Sequence, residues 1–219
     1  MKKYKKDIII SVILILIFVI FTLLVRMVDV KAIGPKSSQV GFATLNGLIS
    51  NKIGVNMLFY KLTDIVGFIP FLIVLLYAIK GFFELIKRKS LFKADKELIL
   101  LGLFYGIIML FYVFFELVVI NYRPTLIDGV LEASYPSSHT MLTIFICISS
   151  IIVNKYLIKE SKTRNILSLF LIIVMTLIVL GRVISGVHWF TDIVGGILIS
   201  FALLKSFDTI LKIIKEKHI

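Results

Sequence analysis

Residues 138–157 read SHTMLTIFICISSIIVNKYL, and the three residues before them are Tyr135, Pro136 and Ser137. The stretch is 20 residues long and mostly apolar, which is the length that an α-helix needs to cross the hydrocarbon core of a bilayer. It begins with a serine and a histidine, and polar side chains at a membrane span tend to be functional. The stretch therefore predicts a membrane-crossing helix that carries reactive groups at its N-terminal end.

Five other stretches have a similar length and composition. Hydrophobic residues make up 59% of the chain and charged residues 17%, which is unlike a soluble domain. Six helices and their loops use all 219 residues, so no separate soluble domain is expected. We predict an all-α fold in which residues 1–219 form one transmembrane domain, a six-helix bundle. The predicted spans are Ile8–Val25, Ile65–Ile86, Leu98–Ile120, Ser138–Leu157, Ile166–Ile184 and Trp189–Phe207.

The net charge of +12 is concentrated at every second junction between spans. Cytoplasmic loops of membrane proteins carry an excess of Lys and Arg, so both termini are predicted to be cytoplasmic and the loops after spans one, three and five to face outward. A charge distribution that follows the spans argues against a nucleic-acid partner. The basic clusters are Lys2, Lys3, Lys5 and Lys6; Lys87, Arg88, Lys89, Lys93 and Lys96; Lys155, Lys159, Lys162 and Arg164; and Lys205, Lys212, Lys215 and Lys217.

The longest segment outside the predicted spans is the outer loop Arg26–Asp64. Between Phe42 and Ile53 its apolar residues recur at helical spacing, with Asn46 among the polar residues between them. This pattern predicts an amphipathic helix in the outer interface, either as a lid for a lipid substrate or as a plain anchor for the loop. At the end of the loop, Asp64 is predicted to cap the second span.

The outer ends of the spans hold the residues that suggest chemistry. Arg123 follows span three, and Arg182 ends span five. Guanidinium groups bind phosphate through planar, fork-like hydrogen bonds, so two of them at one end of a bundle favour an anionic substrate. Ser137 and Ser138 open span four, where hydroxyls and free backbone N–H groups can cradle an anion. A plain serine cap beside an interfacial histidine is the alternative interpretation.

His188 and Asp192 are four residues apart at the start of span six and lie on the same helix face. A carboxylate in that position can hold one ring nitrogen and leave the other free to attack. An ordinary structural pair would have the same spacing. The convergence of charged groups from four span ends is what favours a reactive site.

Three motifs together resemble a known signature. They are Arg123-Pro124, then Pro136-Ser137-Ser138-His139, then Gly181-Arg182 with His188 and Asp192. In order and spacing they resemble the type 2 phosphatidic acid phosphatase and vanadium haloperoxidase superfamily, in particular its small bacterial membrane members, whose six-helix core would cover nearly the whole chain.

The resemblance implies a role for each residue. His188 would be the nucleophile that forms a phosphohistidine, and Asp192 would orient it. His139 would protonate the leaving oxygen and then activate water. The phosphoryl oxygens would be bound by Arg123, Arg182, Ser137 and the backbone at Ser138. The resemblance implies no metal and no cofactor.

Three positions depart from the pattern of that family. Ser138 stands where glycine is common, and Gly181 where serine is common. Glu116 stands seven residues before Arg123, where a lysine is usual, and it exchanges a cation for a carboxylate. A carboxylate left unpaired in apolar surroundings is costly, so Glu116 is expected to pair with Arg123 or Arg182. The alternatives are that it binds a cationic part of the substrate, or that it points away while another lysine substitutes.

The sequence therefore predicts a membrane lipid phosphatase that acts on the outer face of the cell membrane. The candidate substrates are undecaprenyl diphosphate, phosphatidic acid and phosphatidylglycerol phosphate, with membrane lipids as the other partners. Two alternatives stay open. One is a phosphotransferase that passes the phosphoryl group to another lipid, and the other is a non-catalytic lipid-binding or transport protein in which Glu116 has abolished phosphate affinity.

Overall fold

A computed structural model describes residues 2–89 and 95–216 of the chain. Lys93 and Lys217 of the predicted basic clusters lie outside these ranges. The described residues form α-helices joined by loops, with isolated β-bridges but no β-strand. The helices are α1 (Lys5–Met27), α2 (Ala43–Ile53), α3 (Met57–Val66), α4 (Phe68–Arg88), α5 (Lys96–Leu117), α6 (Ser138–Leu157), α7 (Ser161–Ser185) and α8 (Phe190–Glu216).

Several of these helices have the length and composition of a membrane span. Within the described ranges they are α1, α3 together with α4, α5, α6 and α7. This confirms the predicted all-α membrane fold. The predicted sixth span falls within α8, which has 27 residues, and the count of six and the cytoplasmic termini stay predictions.

The centre of the bundle is α6, which is the most buried of the candidate spans. It packs against α8 and α7, while α1 packs along α8. The ring of Phe145 lies parallel to that of Phe104 at 6.2 Å and edge-on to that of Phe207 at 6.4 Å. Aromatic pairs in these geometries add to the packing of a core, so this cluster fixes how α5, α6 and α8 meet.

The outer loop contains the predicted amphipathic helix, as α2. Its polar residue Asn46 is not on the solvent side as the pattern suggested, because it is fully buried. The Asn46 side chain donates to Gly41 O at 2.7 Å and to Thr191 Oγ1 at 2.9 Å, and it accepts from the backbone N–H of Thr191. These bonds fasten α2 to the start of α8.

The same loop brings α3 against the end of α7. The backbone N–H of Asn56 donates to Ser185 O at 2.9 Å. Gly186 has a φ of +63°, and a Cβ there would lie 1.8 Å from Gly54 O, so only glycine serves both the left-handed turn and the close approach. The helix α3 is therefore placed at the C-terminal end of α7.

The aromatic cluster at the centre gives a test of this packing. Phe145→Ala leaves a cavity between three helices and is expected to lower the free energy of unfolding by about 3 kcal/mol or more. Phe201→Ala, which removes a half-exposed ring of α8, is the matched control and should cost much less. Thermal unfolding of the purified protein in detergent measures both. Equal losses in the two variants would contradict the proposed core.

Candidate active site

The predicted site residues meet at one end of the bundle, although they come from separate elements. Arg123 lies in the loop after α5, and His139 lies in the first turn of α6. Arg182 lies in the last turn of α7, His188 in the turn between α7 and α8, and Asp192 in the first turn of α8. The Nη1 atom of Arg123 lies 3.5 Å from Nε2 of His188.

Arg182 is the most deeply placed charge of the group. The residue is 0% exposed, and its Nη2 donates to Oδ1 of Asp64 at 2.9 Å. Its Nε and Nη1 atoms are buried and have no hydrogen-bond partner among the described residues. Burying such donors unpaired is costly, so they indicate a place for the oxygens of an anionic ligand.

Arg123 lies at the same end of the bundle and is also buried, with 8% of the residue exposed. Its guanidinium forms an ion pair with Glu132, with Nε 2.9 Å from Oε2, and its backbone N–H donates to Glu132 O. The ring of Tyr60, from α3, lies under both guanidinium groups, at 5.9 Å from Cζ of Arg123 and 5.0 Å from Cζ of Arg182. Cation–π contact of this kind orients the two cations toward one space.

His188 is held as a neutral imidazole. Burial lowers the pKa of His188 well below its ordinary value, and the charges of Arg123 and Arg182 lower it further. A neutral ring keeps the lone pair that a nucleophile needs. Because Nε2 is the ring nitrogen beside Arg123, it is the atom placed to attack an anion bound there.

Asp192 does not form the expected hydrogen bond to His188. Its Oδ2 lies 3.7 Å from Nδ1 of His188, beyond hydrogen-bond distance. Instead the carboxylate accepts from the backbone N–H of Trp189 at 2.9 Å and from the Asn121 side chain at 3.3 Å. Trp189 immediately precedes α8 and Asp192 is the third residue of that helix, so this bond has the geometry of a capping box. It uses the carboxylate that the i, i+4 spacing had assigned to the imidazole.

The two serines have different surroundings. Ser137 is fully buried at the N-cap of α6, but its side chain makes no capping hydrogen bond. Its hydroxyl accepts from Thr140 Oγ1 at 3.1 Å, and its backbone N–H donates to Asp192 O at 2.9 Å. Ser138 is half-buried and lines the cavity beside His139. Ser138 is therefore the serine with access to a ligand, whereas Ser137 joins α6 to α8.

His139 has a carboxylate partner that the sequence analysis did not assign to the site. Its Nε2 lies 3.3 Å from Oδ1 of Asp64, and its Nδ1 is buried without a hydrogen-bond partner among the described residues. Asp64 is not the N-terminal cap of a span, as predicted, because it lies in the last turn of α3. Asp64 and Tyr60 were missed because they belong to no motif and lie far from the arginines in the chain, Asp64 being 118 residues from Arg182.

The expected ion pair of Glu116 is wrong. Arg123 pairs with Glu132 and Arg182 with Asp64, and Glu116 has no ion pair within the described residues. It lies exposed in the last turn of α5, at the edge of a small cavity that Ser138 and His188 also line. Its place at the helix end lets the carboxylate reach the polar interface, so it needs no buried partner.

An apolar cavity of about 210 Å³ adjoins His139. Its other walls come from α4 and α5 and from the first turns of α6, and they include Phe71, Met109 and Leu142. A cavity with one reactive polar end and apolar walls fits the junction between a headgroup and its lipid tail. Within residues 2–89 and 95–216, no group of three or more His, Cys, Asp or Glu side chains is arranged to hold a metal ion.

The chain is similar to known proteins in sequence and in fold. The model of the family described as the PAP2 superfamily matches residues 71–212, a range that contains all the predicted site residues but not Tyr60 or Asp64. A solved structure, the first transmembrane PAP2 type phosphatidylglycerolphosphate phosphatase from Bacillus subtilis, is similar with a TM-score of 0.60 and 22% identity. The likeness covers 94% of this chain and 96% of that chain and shows a common fold. The comparison with curated proteins gives no match.

The unpartnered donors of Arg182 predict oxyanion binding. Orthovanadate at about 100 times its dissociation constant should stabilise the protein by about 2.7 kcal/mol, seen as a higher unfolding temperature in detergent. Arg182→Ala should lose most of this shift, because it removes the buried donors. Arg164→Ala, at the far end of α7, is the control and should keep it. An undiminished shift in Arg182→Ala would contradict the assignment.

Proposed function

The chain belongs to the PAP2 superfamily, and on this premise we propose that it is a membrane lipid phosphatase. It hydrolyses a lipid phosphate or diphosphate through a phosphohistidine intermediate. The observation that carries the proposal is the fully buried guanidinium of Arg182, whose Nε and Nη1 atoms have no hydrogen-bond partner among the described residues. It shares the ring of Tyr60 with Arg123, and Arg123 in turn lies beside Nε2 of His188. Fixed cations beside a nucleophile stabilise the charge on the phosphoryl oxygens in phosphoryl transfer.

In the first step, Nε2 of His188 attacks phosphorus, and the bond from phosphorus to the leaving oxygen breaks. The electron pair of that bond goes to the leaving oxygen, which takes a proton from His139. Arg123 and Arg182 neutralise the charge on the three phosphoryl oxygens, with Ser138 completing the cradle. The products are a phosphohistidine and the dephosphorylated lipid.

In the second step, water attacks the phosphohistidine, and the bond from phosphorus to nitrogen breaks. His139 accepts the proton that the water loses, so it returns to its starting state. Inorganic phosphate leaves, and His188 is again neutral. Asp192 acts on both steps from a distance, by holding the turn that carries His188.

A lipid substrate is supported by the apolar cavity beside His139 and by the apolar helices around it. Phosphatidylglycerol phosphate is one candidate, since the similar solved structure is a phosphatase for that lipid, and phosphatidic acid and undecaprenyl diphosphate are the others. The arginines supply the charge stabilisation, so the reaction is proposed to need no metal and no cofactor.

The alternatives differ in how well the site supports them. A phosphotransferase needs only an alcohol in place of the attacking water, so the same residues would serve it. The non-catalytic interpretation depended on Glu116 opposing the phosphate. Because the Glu116 carboxylate lies exposed at the end of α5, solvent and ions screen its charge from a bound phosphate, which weakens this argument against catalysis.

The phosphatase proposal is tested by the two histidines. His188→Ala should lower phosphate release by several orders of magnitude, because it removes the attacking atom. His139→Ala should lower it by about 10²–10⁴-fold through loss of acid–base catalysis. Release of inorganic phosphate is measured in detergent with excess chelator, from the three candidate lipids.

Near-normal release by His188→Ala would overturn the phosphohistidine mechanism. Wild-type activity that is lost in chelator and restored by magnesium would overturn the metal-free reaction. Trapping of labelled phosphate on the wild-type protein, but not on His188→Ala, would identify the nucleophile directly.

The outward orientation of the site rests on the basic clusters at the opposite helix ends and predicts a labelling pattern. Val130 lies exposed in the loop after α5, and Ser161 lies exposed at the start of α7. In a Cys147→Ser background, Val130→Cys should react with a membrane-impermeant thiol reagent in intact cells, and Ser161→Cys should react only after lysis. The reverse pattern would place the site on the cytoplasmic side.

A further inference from the structure

We propose that Asp64 is a positioning residue of the active site, which holds Arg182 in place and sets the proton position on His139. This role presupposes the phosphatase activity proposed above. Asp64 lies on α3, outside the range that the family model matches, and none of the three sequence motifs includes it.

One oxygen of Asp64 contacts both functional groups. Oδ1 accepts from Nη2 of Arg182 at 2.9 Å and lies 3.3 Å from Nε2 of His139. The other site arginine, Arg123, has Glu132 as its own carboxylate partner. Asp64 is therefore the carboxylate that joins a phosphate-binding guanidinium to the acid–base imidazole.

The approach of α3 to these groups depends on two glycines. A Cβ at Gly181 would lie 2.2 Å from Cγ2 of Thr63, the residue before Asp64. A Cβ at Gly67 would lie 2.8 Å from Cδ2 of His139. Any larger residue at either position would have to displace the side chain of Thr63 or of His139. Gly181, where the resembling family commonly has serine, thus makes room for the helix that carries Asp64.

The chemistry follows from the two ring nitrogens of His139. When Nε2–H donates to a carboxylate, the tautomer is fixed and the other nitrogen, Nδ1, is left to exchange a proton. Nδ1 is buried and without a hydrogen-bond partner among the described residues. His139 must carry a positive charge after it takes a proton from water, and the two nearby arginines oppose that charge. The carboxylate of Asp64 offsets this repulsion.

A purely structural role for Asp64 would be to neutralise Arg182 and no more. The two roles are separated by Asp64→Asn, because the amide oxygen can still accept from Arg182 while the negative charge beside His139 is gone. Asp64→Ala removes both contacts. Asp128→Asn is the matched control, since Asp128 lies exposed in the loop after α5 with a φ of +47° that asparagine tolerates.

The experiment compares two phosphate monoesters that differ in the need for an acid. Dodecyl phosphate has an alkoxide leaving group that needs a proton, whereas p-nitrophenyl phosphate has a leaving group that departs without one. With dodecyl phosphate, Asp64→Asn should lower kcat by about 10²-fold or more with little change in KM. With p-nitrophenyl phosphate, it should give a rapid burst of nitrophenol followed by slow turnover, because only the second step still needs His139.

Asp64→Ala should also raise KM, and Asp128→Asn should match the wild type on both substrates. Turnover of dodecyl phosphate by Asp64→Asn within about threefold of wild type would overturn the proposal. So would the loss of both the burst and the turnover, which indicates a role in binding or folding alone. A failure of the proposed phosphatase function would give a different result. The wild type would then release no phosphate, or His188→Ala would release as much as the wild type.

Discussion

The end of the bundle that holds the candidate site is organised by the burial of one cation, the guanidinium of Arg182. A charge removed from water costs several kcal/mol unless it is paired and hydrogen-bonded. Asp64 supplies the ion pair and Tyr60 the aromatic face, and both come from α3. The Nε and Nη1 atoms of Arg182 have no hydrogen-bond partner among the described residues. A bound anion could accept hydrogen bonds from both. The place of α3, and with it the contact to His139, follows from this requirement.

A second constraint acts on the irregular segments around the site. Backbone groups buried near a bilayer have to find partners inside the protein. Asn121 accepts from Gly41 N and donates to Asp192, and Asp192 accepts from Trp189 N. The Trp189 side chain donates to Tyr122 O at 2.6 Å. These bonds join the loop before α2, the loop after α5 and the start of α8, the segments that carry or adjoin Arg123 and His188. Such preorganisation is where most electrostatic catalysis originates.

The helices are held together by different interactions in the middle of the bundle and at the end that holds the candidate site. The aromatic cluster of Phe104, Phe145 and Phe207 holds the helices together by packing, because lipid around them is as apolar as the core and gives little hydrophobic driving force. The end that holds the candidate site is stabilised by ion pairs and hydrogen bonds instead. An amphiphilic substrate matches this division, with its phosphate among the arginines and its tail in the apolar cavity beside His139.

The sequence by itself determined the class of fold and the motif residues at the helix ends, because span-length apolar runs and fixed spacings are local properties of a chain. It predicted α6 with the same bounds as the structure, and it singled out the arginines and histidines that converge. It missed Asp64 and Tyr60 as site residues, predicted an ion pair for Glu116 that the described residues do not form, and assigned Asp192 to His188 rather than to the backbone N–H of Trp189. Each of these depends on which groups compete for a partner once the helices pack, and that is decided by tertiary structure: the contact of α3 with α7, the close approach at Gly181 and the hydrogen bond from Trp189 N–H to Asp192 at the start of α8.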